Sequence, residues 1–342
     1  MTESQPLQPL QANILKDGRK VWYVTVATKP HPFLDILTNL CTERGIHIAV
    51  MGMNDQRLQE WGKGFGVKIY YLKEAVQQLE IIAGSNDLVI FTDAYDVLIT
   101  EDLDTIVKKF DTFKSDVVFS TEVYCHPDKE LAPAYPALKI KKKDGTVGEP
   151  NHPFLNSGAF MGKVHQMADF MQEYKYEIRD DDQRYWTNIY LKEFKKKGTG
   201  GNLHAISLDT ESSLFQCMAG ANHEIEARKA DATPGNAGVN FVNSLTGESP
   251  SFIHFNGPKE GLSGFHHLLK NGMDSINVLG TGSVMFISIV IAMVFVIFFV
   301  SVACKIPNME FILILLFLFI FGFLLLNKDT NLFLLKPRSS TV

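Results

Sequence analysis

The sequence predicts an α/β fold in which a mostly parallel sheet is covered by helices on both faces. Two observations predict it. Runs rich in β-branched and aromatic residues recur from Lys20 to about His266, and the stretches between them are long enough for crossover helices. In addition, the apolar run Leu88-Val89-Ile90 leads into Phe91-Thr92-Asp93-Ala94-Tyr95-Asp96. Two carboxylates thus stand at the C-terminal end of a strand, the edge at which open α/β sheets bind ligands.

Val21–Ala27 is the opening strand. Pro32 suits a first helical turn and starts a helix through Leu34, Ile36, Leu37 and Leu40, which Gly45 ends. Ile46–Val50 is a second strand. The glycine-rich Gly62–Gly66 is a loop before the β-rich segment Val67–Tyr71, and a helix from about Lys73 to Ala83 leads into the strand Leu88–Phe91. A helix over Leu103–Phe113 and a strand over Val117–Ser120 follow, and the charged stretch Lys139–Gly148 is expected to be a solvated loop. No internal repeat is visible.

The chain has 342 residues, enough for one large domain or two ordinary ones, and a net charge of −5, which leaves no electrostatic footprint for nucleic acid. Cys41, Cys125, Cys217 and Cys304 are far apart and imply neither a zinc site nor a disulfide framework. Residues 1–19 read as a polar, disordered lead without the apolar core of a signal peptide. The C-terminus differs in kind. Residues 284–303 are uncharged and apolar over about the ~20 positions a bilayer-spanning helix needs. A second, shorter run covers residues 309–326. The expected organisation is a folded domain over 20–266, a linker over 267–283 with an amphipathic lead at Leu262–Leu269, a transmembrane hairpin, and a tail over 327–342. The predicted location is therefore a membrane. Lys305, Lys328, Lys336 and Arg338 give conflicting cues for its side.

Four segments carry chemistry, and each has a plain structural reading beside it. Asp93 and Asp96 are hard oxygen ligands for a divalent cation, or turn formers and helix caps. Asn156-Ser157-Gly158-Ala159-Phe160-Met161-Gly162 permits close approach of backbone to a ligand, or makes a tight turn with a bulge. Asp180-Asp181-Asp182-Gln183 supplies acids to a site, or complements the dipole of a helix start. The strand Ser251-Phe252-Ile253-His254-Phe255-Asn256-Gly257-Pro258-Lys259 offers a third metal ligand in His254 with Lys259 beside a phosphate, or an ordinary satisfied histidine.

Taken in order, Val24–Thr28, Asp93-Ala94-Tyr95-Asp96, Phe119-Ser120-Thr121-Glu122, Phe154–Gly158, Asp180–Gln183 and His254–Pro258 resemble one family. It is the glycosyltransferase domain of the procollagen lysyl hydroxylases and collagen glucosyl- and galactosyltransferases. The resemblance covers Lys20 to His266. It implies a GT-A nucleotide-sugar-binding fold, a Rossmann-like mixed sheet flanked by helices, that uses UDP-sugars with Mn2+. It further implies that Asp93, Asp96 and His254 bind the metal and that Tyr95 stacks on uracil near Thr28. Lys259 and the Asn256-Gly257 backbone would hold the diphosphate. Asn156, Asp181 and Asp182 would face the sugar and a hydroxyl-bearing glycan or protein acceptor.

The chain departs from the family pattern at three points. Phe255 replaces a glycine after the histidine, a threonine before the lysine is missing, which brings Lys259 one residue nearer, and Ala159 replaces a second glycine, which is expected to narrow the sugar pocket. His126-Pro127-Asp128 has the form of an iron site, but no dioxygenase module is expected, and it reads as a loop. Two function classes follow: a membrane-anchored UDP-sugar transferase, moving glucose or else galactose to a non-collagen acceptor, and a non-catalytic nucleotide- or glycan-binding protein on the same fold. The complete set Asp93, Asp96 and His254 favours the enzyme.

Overall fold

The computed structural model describes residues 10–53, 65–177, 179–197, 205–257 and 259–273. The glycines expected in a loop at 62–64, the apolar runs 284–303 and 309–326, and the tail 327–342 lie outside the described residues. Among the described residues no helix is long and apolar enough to cross a membrane.

The strands are β1 (Asn13–Ile14), β2 (Lys20–Val26), β3 (Ile48–Met51), β4 (Leu88–Asp93), β5 (Val97–Ile99), β6 (Val117–Glu122), β7 (Ile140–Lys141), β8 (Val147–Gly148), β9 (Phe154–Lys163), β10 (Ile206–Leu208), β11 (Phe215–Cys217), β12 (Ile225–Lys229), β13 (Val239–Asn243) and β14 (Phe252–His254). The helices are α1 (Pro32–Glu43), α2 (Gly66–Glu80), α3 (Leu103–Thr112), α4 (Val164–Glu173), α5 (Asp182–Lys197) and α6 (Glu260–Asn271). The main sheet runs β1-β2-β4-β9-β6-β10, with β3 on the outer edge of β2. β3, β2 and β4 are parallel, as are β6 and β10, while β9 lies between β4 and β6 antiparallel to both. The sheet is therefore mixed. A second sheet, β11-β14-β5, stands beside it.

Alternation along the strands divides the core in two. On β2, Val21 and Tyr23 face a cluster with Leu37, Ile106 and Phe252, while Trp22, Val24 and Val26 face one with Leu72, Val76, Met167 and Trp186. Inside the sheet, the buried hydroxyls of Tyr23 and Thr92 hydrogen-bond at 2.8 Å, and Thr25 Oγ1 donates to the Thr92 carbonyl at 2.7 Å, so these three hydroxyl side chains are satisfied.

Several elements differ from expectation. Val67–Tyr71 is not extended; α2 starts at Gly66. Its β-rich composition is overridden because Ile69, Leu72, Val76 and Leu79 continue one buried helical stripe. Asn13–Ile14, in the expected disordered lead, pairs with β2. The Lys139–Gly148 stretch contains the β7–β8 hairpin. Leu262, Phe265, Leu268 and Leu269 do not form a lead into a membrane: they are buried in the core, with Phe265 stacked on Phe241 at 4.7 Å and edge-on to Phe255 at 5.4 Å. The departure at Phe255 thus has a structural purpose, since its ring docks α6.

Phe265→Ala is expected to lower the unfolding free energy by about 3–5 kcal/mol, the usual effect of truncating a buried aromatic ring, measured by denaturant titration. A loss below about 1 kcal/mol, the level of ordinary surface substitutions, would mean that α6 is not part of the core.

Candidate active site

Three chain segments meet because a strand turns a corner between sheets. β4 ends at Asp93, and three residues later Asp96 immediately precedes β5, in the second sheet. β14 pairs antiparallel with β5 so that His254 lies opposite Val97, and the Phe255 N–H donates to the Asp96 carbonyl at 2.8 Å. One ligand atom each from Asp93, Asp96 and His254 consequently lie within 4.8 Å of one another. His254 Nε2 is 3.7 Å from Asp93 Oδ2 and 3.5 Å from Asp96 Oδ1. On the far side of β14, β11 is held by Asp209, whose buried carboxylate accepts the N–H groups of Ser213, Leu214 and Phe215 at 3.0, 2.7 and 2.7 Å.

β9 contributes a close backbone approach. A Cβ on Gly158 would lie 2.1 Å from His254 Cε1, so only glycine leaves room for the imidazole. The bulge reading of this segment also applies, since the β6–β9 register shifts between Phe119 and Ser120. Ala159, the next residue, points the other way, into the core. It does not narrow the cleft, contrary to the expectation.

Four acids gather here with three cationic groups. Lys68, from α2, is partly buried with its Nζ 2.7 Å from Asp93 Oδ1 and 3.2 Å from Asp182 Oδ2. Lys259 Nζ is 3.1 Å from Asp96 Oδ2. The two metal-motif carboxylates are pushed apart. Burial raises the Asp93 pKa, Lys68 opposes the rise and the neighbouring Asp96 adds to it. Burial acts on Asp96 too, but His254 and Lys259 outweigh it and hold this carboxyl down at about 2. Burial works to lower Lys68 and His254, yet Asp182 and Asp93 in one case and Asp96 in the other hold both above their ordinary values. Burial raises the Glu122 carboxyl, with hydrogen bonds from Gln183 and Asn156 opposing.

These groups line a cleft of about 680 Å³. Every residue expected at the site lines it except Thr28. Thr28 is tied to it through Tyr95, whose hydroxyl accepts the N–H groups of Thr28 and Lys29 at 3.0 and 3.2 Å and donates to the Lys29 carbonyl at 2.9 Å. Tyr95 is half-buried, and its hydroxyl holds the loop after β2. Asn256 is structural at its side chain: Oδ1 accepts the Met218 and Ala219 N–H groups at 3.0 Å each, and Nδ2 donates to Glu122 Oε2 at 3.0 Å. The following Gly257 has a φ of 106°, which a residue with a Cβ rarely adopts.

The three acids of Asp180-Asp181-Asp182 divide. Asp181 Oδ1 accepts the Arg184 N–H at 2.9 Å at the start of α5, the bland capping role. Asp182 is 4% exposed and accepts from Ser157 Oγ at 2.9 Å as well as from Lys68. Asn156, expected to face the sugar, has both ends of its amide engaged with protein groups. Asp128 pairs with Arg184, Nε to Oδ2 and Nη2 to Oδ1 both at 2.6 Å, in a loop that joins no metal cluster among the described residues. Sequence reasoning assigned no role to Lys68, Glu122 or Gln183. The last two sit inside the quoted motifs; Lys68 lay in the segment read as extended.

The donor set fits a divalent cation. Asp96 Oδ1 is buried without a hydrogen-bond partner among the described residues, and two carboxylates with one imidazole are hard ligands of the kind that hold Mn2+ and leave positions open.

Comparison with known proteins gives the class, a glycosyltransferase domain. A family model described as PLOD GT domain matches residues 17–273, and the chain belongs to that family. It is 32% identical over 265 residues to the multifunctional procollagen lysine hydroxylase and glycosyltransferase of Caenorhabditis elegans, covering 75% of this chain and 33% of that protein. The procollagen-lysine,2-oxoglutarate 5-dioxygenase of Drosophila melanogaster is 32% identical over 265 residues, covering 76% of this chain and 34% of its own. The chain spans about a third of the length of these relatives.

Gly158→Ala is expected to displace the His254 ring and destabilise the fold, checked by a melting curve. A melting temperature equal to wild type would contradict the packing described.

Proposed function

We propose that this domain transfers a hexose, glucose in the first instance, from a UDP-sugar to a hydroxyl of a glycan or protein acceptor. The observation that supports this reading best is the convergence of Asp93, Asp96 and His254 in a cleft that also holds Lys259 and Asp182. Asp93, Asp96 and His254 would hold Mn2+, which when bound supplies a Lewis acid for diphosphate oxygens. Lys259 adds a point charge where the leaving group's charge grows, and it is partly exposed, so its ammonium can leave Asp96 for a phosphate. The backbone at Asn256 and Gly257 lines the same part of the cleft. Tyr95 offers its ring to uracil while its hydroxyl keeps the Thr28–Lys29 loop in place.

Asp182, paired with Lys68, is the acid available to sugar or acceptor hydroxyls; Asp181 lines the cleft as well. The names of the two relatives attach procollagen lysine to a hydroxylase and to a dioxygenase, and a hydroxylysine-type acceptor is proposed here on that likeness. Galactose in place of glucose is the variant within the same reaction class. Anchoring to a membrane by residues 284–303 and 309–326 is part of the proposal and rests on their apolar sequence.

The test is release of UDP from UDP-glucose and UDP-galactose by the full chain, with and without Mn2+. Release is expected only with Mn2+, and it is expected to fall to background in Asp93→Asn and Asp96→Asn. Metal-independent release, or full activity in either variant, would refute the assignment. Tyr95→Ala is expected to weaken UDP binding by roughly 1–3 kcal/mol, the range for base–aromatic stacking. Tyr95→Phe is expected to retain the ring but lose the hydroxyl's hold on the loop, so it should fall between the two. Equal UDP affinity in all three proteins, by calorimetry, would remove Tyr95 from the donor site.

A further inference from the structure

The Asn156 amide lies against His254, and backbone groups determine which way it points. The Gly158 N–H donates to Asn156 Oδ1 at 2.9 Å, so the oxygen is at that end. The same oxygen is 3.1 Å from His254 Nδ1. An amide oxygen only accepts, so Nδ1 carries a proton. At its other end, Asn156 Nδ2 donates to Glu122 Oε1 at 3.2 Å and to Gln183 Oε1 at 3.3 Å. Gln183 is oriented in the same manner. Its Nε2 donates to the His126 carbonyl at 2.8 Å and to Glu122 Oε1 at 2.5 Å, and its Oε1 accepts the Ser157 N–H at 3.4 Å.

With the Nδ1 proton held by the amide oxygen, Nε2, the atom that faces Asp93 and Asp96, is the nitrogen that gives up its proton and presents a lone pair when a cation takes the site. We propose that Asn156 and Gln183 are positioning residues for the cation site: the amide chain from the His126 carbonyl through Gln183 and Asn156 to His254 Nδ1 selects the imidazole tautomer that offers Nε2 to the metal. This rests on the reading of Asp93, Asp96 and His254 as a cation site, and it moves Asn156 from sugar recognition to metal binding. Gly158 serves the same end twice, giving space to the ring and an N–H to the amide.

The test is Mn2+ affinity, by calorimetric titration of the full chain, beside melting temperature. Asn156→Leu removes the acceptor and is expected to weaken Mn2+ by about 10–100-fold, the usual effect of losing a partner that orients a metal-binding histidine. Asn156→Asp keeps an acceptor for Nδ1–H whichever way it rotates, but sets a second carboxyl against Glu122. It is expected to melt lower than wild type and yet bind Mn2+ nearly as well. Gln183→Met, which does not touch His254, frees the Asn156 amide to turn and is expected to weaken Mn2+ by a smaller factor.

Affinities that follow the melting temperatures instead of the acceptor at position 156 would overturn the proposal, as would undiminished Mn2+ binding in Asn156→Leu. Should Asn156→Leu fail to fold, undiminished binding in Gln183→Met overturns it alone. A wild-type protein that takes up no Mn2+ would defeat the cation-site reading itself, and this inference with it. Wild-type uptake with unaffected variants defeats only the inference.

Discussion

The structure depends on a single electrostatic constraint: four carboxylates, Asp93, Asp96, Glu122 and Asp182, share one cleft at the C-terminal edge of the main sheet. Buried like charges at this spacing are tolerated only when cations and hydrogen-bond donors face them. Lys68 answers Asp93 and Asp182, Lys259 and His254 answer Asp96, and three side-chain amides answer Glu122. Those six partners come from five stretches of chain: α2, β14, the segment after β14, β9 and α5. The electrostatics of the site therefore clamp the helices to both sheets, and Asp96 Oδ1 is left buried without a hydrogen-bond partner among the described residues.

The geometry of the corner follows from the same need. Moving the chain from β4 to β5 between Asp93 and Asp96 lets two carboxylates of one strand connection converge, and the antiparallel β5–β14 pair brings an imidazole from more than a hundred residues away. A side chain at position 158 of β9 would block this, since even a Cβ there would overlap the His254 ring.

Much of this was legible in the sequence. Asp93, Asp96 and His254 stand at strand ends where each also has a plain structural reading, and it was the ordered resemblance to one family that joined them into a single set, whereas the α/β class was readable from alternating β-rich and helical stretches. The central antiparallel strand was not, since direction depends on connections that a local pattern does not encode. Lys68 was hidden by a β-rich stretch that folds as helix under tertiary packing. The split among Asp180, Asp181 and Asp182 could not be read either, because capping and cleft-facing positions differ by a single residue of rotation about the helix start. Leu262–Leu269 was ambiguous for a different reason: an amphipathic stripe is the same whether it meets a core or a bilayer.

The central claim is that this cleft takes a nucleoside diphosphate through a cation held by Asp93, Asp96 and His254. Linkage tests it most directly. Titrating UDP into the protein with and without Mn2+, and Mn2+ with and without UDP, should show each ligand tightening the other by the same factor, at least about tenfold or 1.4 kcal/mol. UDP binding with equal affinity whether or not Mn2+ is present would contradict the account.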